Sequence, residues 1–151
     1  MAKTQRRLMP CPPSIENIIA LFEDQIKNAQ LMNRDGLEST LDKVKWGIPT
    51  QGIPTIWDQI TILFKEIVEN HYFSDGNKRI GILLAYLFLQ KNDYEFSPPK
   101  QEIFTVPMDV AQGLKPYAEL KQWFIKNSKN CRMTSYFSLA LHYFLFLLAA
   151  L

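Results

Sequence analysis

The chain has little of what the more specialised classes of protein require. Its 151 residues include two cysteines, Cys11 and Cys131, near opposite ends and without metal-ligand spacing around them. That argues against a disulfide framework or a thiolate metal centre, and fits free thiols in a reducing compartment, with the cytoplasm as the expected location. An excess of one charge is also lacking, since 17 basic and 15 acidic side chains leave a net +2. A protein that grips nucleic acid by its phosphates needs a larger basic excess or a basic stripe, so no specific nucleic-acid partner is expected. Met1 to Arg7 is basic but leads into Leu8-Met9-Pro10-Cys11-Pro12-Pro13, which is no secretory signal. No run reaches the ~20 apolar residues that span a bilayer as a helix. The nearest is Tyr136 to Leu151, sixteen residues without a charge. It reads as a terminal helix packed on the domain or on a second subunit. Membrane contact by 136–151 is the less favoured alternative, and a tail outside the functional fold is a third. His142, with no second ligand at i±4, reads as a packed or interfacial histidine.

What remains is ordinary globular composition, 47% hydrophobic and 21% charged, long enough for one domain with a core of its own. Residues 1–13 read as a flexible or extended arm, 14–129 as the domain, and 130–151 as the apolar tail. Ser14 suits a helix N-cap, and Ile15, Ile18, Ile19, Phe22 and Ile26 follow at helical spacing. Asn33-Arg34-Asp35-Gly36 reads as a turn before a short helix marked by Leu37, Leu41 and Val44. Residues 46–55 differ in kind, because Gly47-Ile48-Pro49-Thr50 and Gly52-Ile53-Pro54-Thr55 form a local repeat that forbids a helix. Two readings fit it, a surface connection or a flap that docks an extended target segment through Ile48, Thr50, Gln51 and Ile53. Helical spacing returns with Ile56, Ile60, Leu63, Phe64 and Ile67. A nearly all-apolar helix over 77–90 must be central, and Asn92-Asp93 ends it. Ser97-Pro98-Pro99 starts a further helix that Pro107 should break or kink and Gly113 should close; Pro116 opens the last, with Leu120, Trp123 and Phe124 inward.

Between the two apolar stretches lies His71-Tyr72-Phe73-Ser74-Asp75-Gly76-Asn77-Lys78-Arg79. Asp, Gly and Asn in succession favour a tight loop, so helix, loop, helix is expected. The second helix then presents free backbone N–H groups and the positive end of its dipole, an anion site. Gly76 allows close backbone approach to a ligand, and Lys78 and Arg79 add positive charge, Arg79 with a fork suited to phosphate. Asp75 is a carboxylate for phosphate-bound Mg²⁺, and His71 is placed to take a proton from an attacking hydroxyl. Taken singly, each residue has a bland account: a C-cap for His71, an N-cap for Asp75, a solvated face for Lys78 and Arg79. Phe73 is structural under either account. Together, base, metal carboxylate and phosphate cradle spell phosphoryl or nucleotidyl transfer.

The stretch resembles the signature of the Fic/Doc superfamily at His71, Phe73, Asp75, Gly76, Asn77, Lys78 and Arg79. Asp35-Gly36-Leu37-Glu38-Ser39 is similar to an early helix of the Doc-like members, and the likeness extends loosely over residues 14–126. It implies an all-α fold, a compact helical bundle with a short extended flap beside the active site, acting on ATP with Mg²⁺. His71, Asp75, Lys78 and Arg79 would be the catalytic set, with Asp75 on the metal and Gly76, Asn77, Lys78 and Arg79 on the phosphates. AMP-transferring Fic enzymes carry glycine where this chain has Lys78, and a second arginine where it has Ile82. Both departures resemble Doc, the death-on-curing type of toxin, whose lysine goes with a reversed nucleotide and transfer of the terminal phosphate to a translation elongation factor. The resemblance therefore implies a toxin-like protein kinase causing growth arrest. The alternatives are a protein adenylyltransferase and a non-catalytic binding or membrane-associated member. Many Fic proteins restrain themselves through a Ser or Thr followed four residues later by Glu, and no such pair exists in this chain. An antitoxin inhibiting in trans is the expected partner. Tyr72 stands where proline is common in Fic proteins, a position that varies in Doc-like members.

Overall fold

A computed structural model describes residues 12–27, 29–47, 52 and 54–131. The Ser14 hydroxyl accepts a hydrogen bond from the Asn17 N–H at 3.2 Å and starts α1 (Ile15–Gln25). Ile15, Ile18, Phe22 and, just past the helix, Ile26 are buried on one side, as their spacing predicts. Helix α2 (Arg34–Trp46) begins earlier than the sequence suggests. Asn33-Arg34-Asp35-Gly36 is no separate turn: the Asn33 side chain caps the helix by accepting from the Gly36 N–H at 2.8 Å. A capping asparagine satisfies the same local backbone groups that a turn would, so the two look alike in sequence.

Thr55 and Asp58 then form a reciprocal capping box at the start of α3 (Ile56–Asn70). Helix α4 (Asn77–Lys91) packs against α3, and Ile80, Ile82, Leu83, Leu84, Ala85, Tyr86, Phe88 and Leu89 are all buried. Such a helix has no solvated stripe to speak of, and it forms the axis of the bundle. Helix α5 (Lys100–Ala111) runs unbroken through Pro107. The missing N–H and the ring clash cost about 3 kcal/mol. Burial of Ile103, Val106, Pro107 and Val110 along one side offsets that, at about 1.5–3 kcal/mol per large side chain. Gly113 closes the turn after α5, and α6 (Tyr117–Lys126) follows Pro116 with Leu120, Trp123 and Phe124 buried. Phe64, Phe96, Trp123 and Phe124 make an aromatic cluster with ring centroids 5.0–6.3 Å apart.

The architecture is the expected all-α bundle with one addition, a two-stranded antiparallel pair of β1 (Tyr94–Phe96) and β2 (Ser128–Asn130). Three-residue strands carry too short an alternation to be read from sequence. Among the described residues no helix is long and apolar enough to cross a membrane. The flap residues Ile48, Thr50, Gln51 and Ile53, the tail 132–151 and nearly all of the arm lie outside the described residues.

Candidate active site

Helix α3 ends because His71 adopts the left-handed conformation, φ 50° and ψ 52°. A non-glycine residue there carries backbone strain unless its surroundings hold it, and such residues cluster at functional sites. The next residues are held firmly. The Tyr72 carbonyl accepts from the N–H groups of Met32 at 2.7 Å and Asn33 at 3.2 Å. The Ser74 N–H donates to the Gln30 carbonyl at 2.8 Å, and the Gln30 N–H donates to the Ser74 hydroxyl at 2.8 Å. Leu31 and Phe73 form the β-bridge between these pairs. The connection from α1 to α2 thus straps the motif loop along its length. Phe73, fully buried, stacks on Phe22 with centroids 4.0 Å apart, the apolar pin its sequence context suggested.

Asn77 has a structural duty that the sequence did not reveal. Its buried amide accepts from the Phe73 N–H at 3.0 Å and donates to the Phe73 carbonyl at 2.7 Å. That clamps the loop into a closed ring. Gly76 is likewise required from within. It sits at φ 75°, and a Cβ there would come within 1.9 Å of Ile26 Cδ1. Glycine lets the loop close on α1, a packing reason beside the ligand-approach reason anticipated from sequence.

The groups above this clamped loop are open. The N–H of Ile80 makes the first bond back, to the Gly76 carbonyl at 2.9 Å, so those of Asn77, Lys78 and Arg79 precede the intrahelical ladder. Asp75 is exposed, with Oδ1 accepting from the Gly76 N–H at 2.6 Å and Oδ2 left over. Lys78 is half-buried, His71 is exposed, and Arg79 forms no ion pair among the described residues. Arg79 Nε is buried without a hydrogen-bond partner. A buried donor left unmade costs about 1–3 kcal/mol. The fold therefore brings all seven motif residues into one short loop and helix start, with base, carboxylate and cations within nine residues of chain.

Sequence reading missed a second layer. Below His71, Tyr72 is 3% exposed, and its hydroxyl lies 2.6 Å from the Thr40 hydroxyl. The signal was present in α2, where Gly36 and Thr40 stand one turn apart, a slot beside two polar helix positions. The largest electrostatic perturbation lies elsewhere, at the far end of α3. Burial pushes the Asp58 carboxyl up, but hydrogen bonds from Lys121, Thr55 and Tyr117 outweigh it and hold it at about 2. Burial and the Asp58 carboxylate raise the Tyr117 hydroxyl well above its ordinary value.

A strapped loop under the start of α4, with an exposed histidine beside it, thus sits on an all-α scaffold. The Fic/DOC family model matches residues 8–89, and the chain belongs to that family. Membership implies an ATP-dependent transferase of the Fic kind. No curated protein matches the chain in a direct comparison.

Proposed function

We propose that the protein moves the γ-phosphate of ATP onto a hydroxyl of a target protein, in the manner of Doc. The observation that carries the anion-binding part is the buried, unpartnered Nε of Arg79, a residue in the first turn of α4, whose three leading backbone N–H groups precede the ladder. The choice of the terminal phosphate is supported by Lys78 and Ile82. Ile82 is 0% exposed and belongs to the core, so this helix offers no second arginine for a longer phosphate chain.

The residues fit the substrate. Among the described residues no group of three or more His, Cys, Asp or Glu could cage a metal. Mg²⁺ carried on phosphate oxygens needs only one or two carboxylates, and exposed Asp75 with its spare Oδ2 can be one. When bound, Mg²⁺ would neutralise charge on the phosphates. The open N–H groups and Arg79 hold the γ-phosphoryl in place, and Lys78 adds charge beside it. His71 takes the proton of the target hydroxyl while the oxygen forms a bond to Pγ. The bond from Pγ to the bridging oxygen breaks, and ADP leaves with that electron pair. The reading includes a cytoplasmic protein substrate, a translation factor, whose modification arrests growth. It also includes a partner protein that restrains the site in trans.

The test is transfer from ATP labelled at the α or the γ position into protein of a cell lysate, with the mass change of the modified target. A phosphate adduct with γ label is expected, and His71→Ala should lower transfer by about 10²–10⁴-fold while the fold persists. An AMP adduct with α label would replace the kinase reading by the adenylyltransferase one. Equal growth arrest from His71→Ala and parent would remove catalysis altogether.

A further inference from the structure

We propose that Tyr72 is the positioning residue of this site: its side chain locks the two peptides on either side of His71 and so aims the imidazole. The proposal rests on the reading of His71 as the base. A hydrogen bond spans the histidine directly, since Asn70 Nδ2 donates to the Tyr72 hydroxyl at 3.0 Å. Asn70 Nδ2 also donates to Glu66 Oε2 at 2.8 Å, and Lys43 Nζ lies 3.3 Å from both Glu66 oxygens. The residues before and after His71 are thereby tied to each other and to α2 through side chains.

The ring of Tyr72 is seated as carefully as its hydroxyl. A Cβ on Gly36 would come within 2.8 Å of Tyr72 Cε1, so the glycine in the first turn of α2 makes room for the ring. One turn on, Thr40, fully buried, meets the hydroxyl at 2.6 Å. The backbone of Tyr72 is fixed independently by Met32 and Asn33. Between these two fixed points His71 is left in a left-handed conformation that it would not hold unaided. Without the Tyr72 hydroxyl, Asn70 loses one of its two acceptors and the turn can relax toward ordinary helical geometry. The imidazole then points elsewhere, while binding of ATP at the start of α4 is untouched.

Tyr72→Phe keeps the ring in the Gly36 slot and removes only the hydroxyl. The expected result is a fall in kcat of about ten- to a hundredfold, with KM for MgATP within about twofold of the parent. The His71 Cε1–H signal in NMR, separated from that of His142 by a His142→Gln background, should shift or broaden. Thr40→Val should reproduce both effects, Thr40→Ser should restore the rate that Thr40→Val loses, and the double variant should be no slower than either single one. If Tyr72→Phe fails to fold, Thr40→Val decides. A lower Tm with kcat and the His71 signal both unchanged would make Tyr72 merely structural and overturn the proposal. If the parent itself transfers no label, the transferase reading fails, and the His71 signal alone decides whether Tyr72 positions the ring.

Discussion

Helix α3 carries a polar cluster at each end, and the two are opposites. They lie about 20 Å apart, at 1.5 Å per residue. At its start, Thr55 and Asp58 cap each other, Lys121 reaches Asp58 at 2.6 Å, and the Tyr117 hydroxyl donates to Asp58 at 3.0 Å. Thr55, Asp58, Lys121 and Tyr117 all have partners from the protein itself, although Gln59 Oε1, one residue along, is buried without one. At its end, His71 is exposed and strained, Arg79 Nε is buried and unpartnered, and three N–H groups of α4 precede its ladder. Perturbed acidity would choose the first cluster as the site, since the Asp58 carboxyl is the one held down at about 2. Satisfaction of the charged groups chooses the second, since Arg79 Nε is the charged donor left buried without a partner among the described residues. A closed network stabilises a fold; an open one awaits a ligand.

That contrast can be broken by substitution. Gly76→Ala carries the largest expected effect on stability, about 2–4 kcal/mol, from the left-handed backbone together with the Ile26 methyl that must move. Adding Ile26→Val removes that methyl, and thermal unfolding should show the pair costing less than the sum of the two. Additive losses would mean that the loop does not close on α1 as described. Next, Arg79→Met should lower transfer about 10–100-fold, as for a lost charged hydrogen bond, while Tm holds or rises because a buried orphan donor is gone. Lys121→Met is the mirror case: it should cost about 1 kcal/mol of stability and leave transfer unchanged. A loss of activity from Lys121→Met, or of stability from Arg79→Met, would erase the distinction between the two ends.

The smallest effect is on acid stability. Asp58 has a folded value near 2 against an ordinary 3.8, so its contribution is fully present above about 3.8 and is lost as pH falls toward 2. Denaturant midpoints at pH 5, 3 and 2 should fall more for the parent than for Asp58→Asn. Parallel curves would show that Asp58 is not held down by its partners.

Much of this was legible in the residues. The apolar spacing of α1, α3 and α4, the cap at Ser14 and the stop at Asn92 depend on neighbours three or four residues away, which a sequence displays directly. The motif at 71–79 was legible for the same reason, being a loop and a helix start contiguous in sequence. Pro107 does not break α5, because its penalty is local whereas the burial that offsets it comes from other helices. The structural role of Asn77 was hidden because its side chain turns back on Phe73, a direction that no residue type announces. The pairing of Tyr72 with Thr40 escaped notice because the two meet only when α2 lies against α3.

The chain by itself determined a helical protein with a histidine, a carboxylate and two cations in one short loop and helix start. Those properties follow from spacing, turn chemistry and residue type, all of which act over a few residues. Only the tertiary structure decided which polar groups are already satisfied and which remain open. Hydrogen-bond partners such as Gln30 for Ser74, Thr40 for Tyr72 and Lys121 for Asp58 lie 44, 32 and 63 residues apart, and packing alone brings them together.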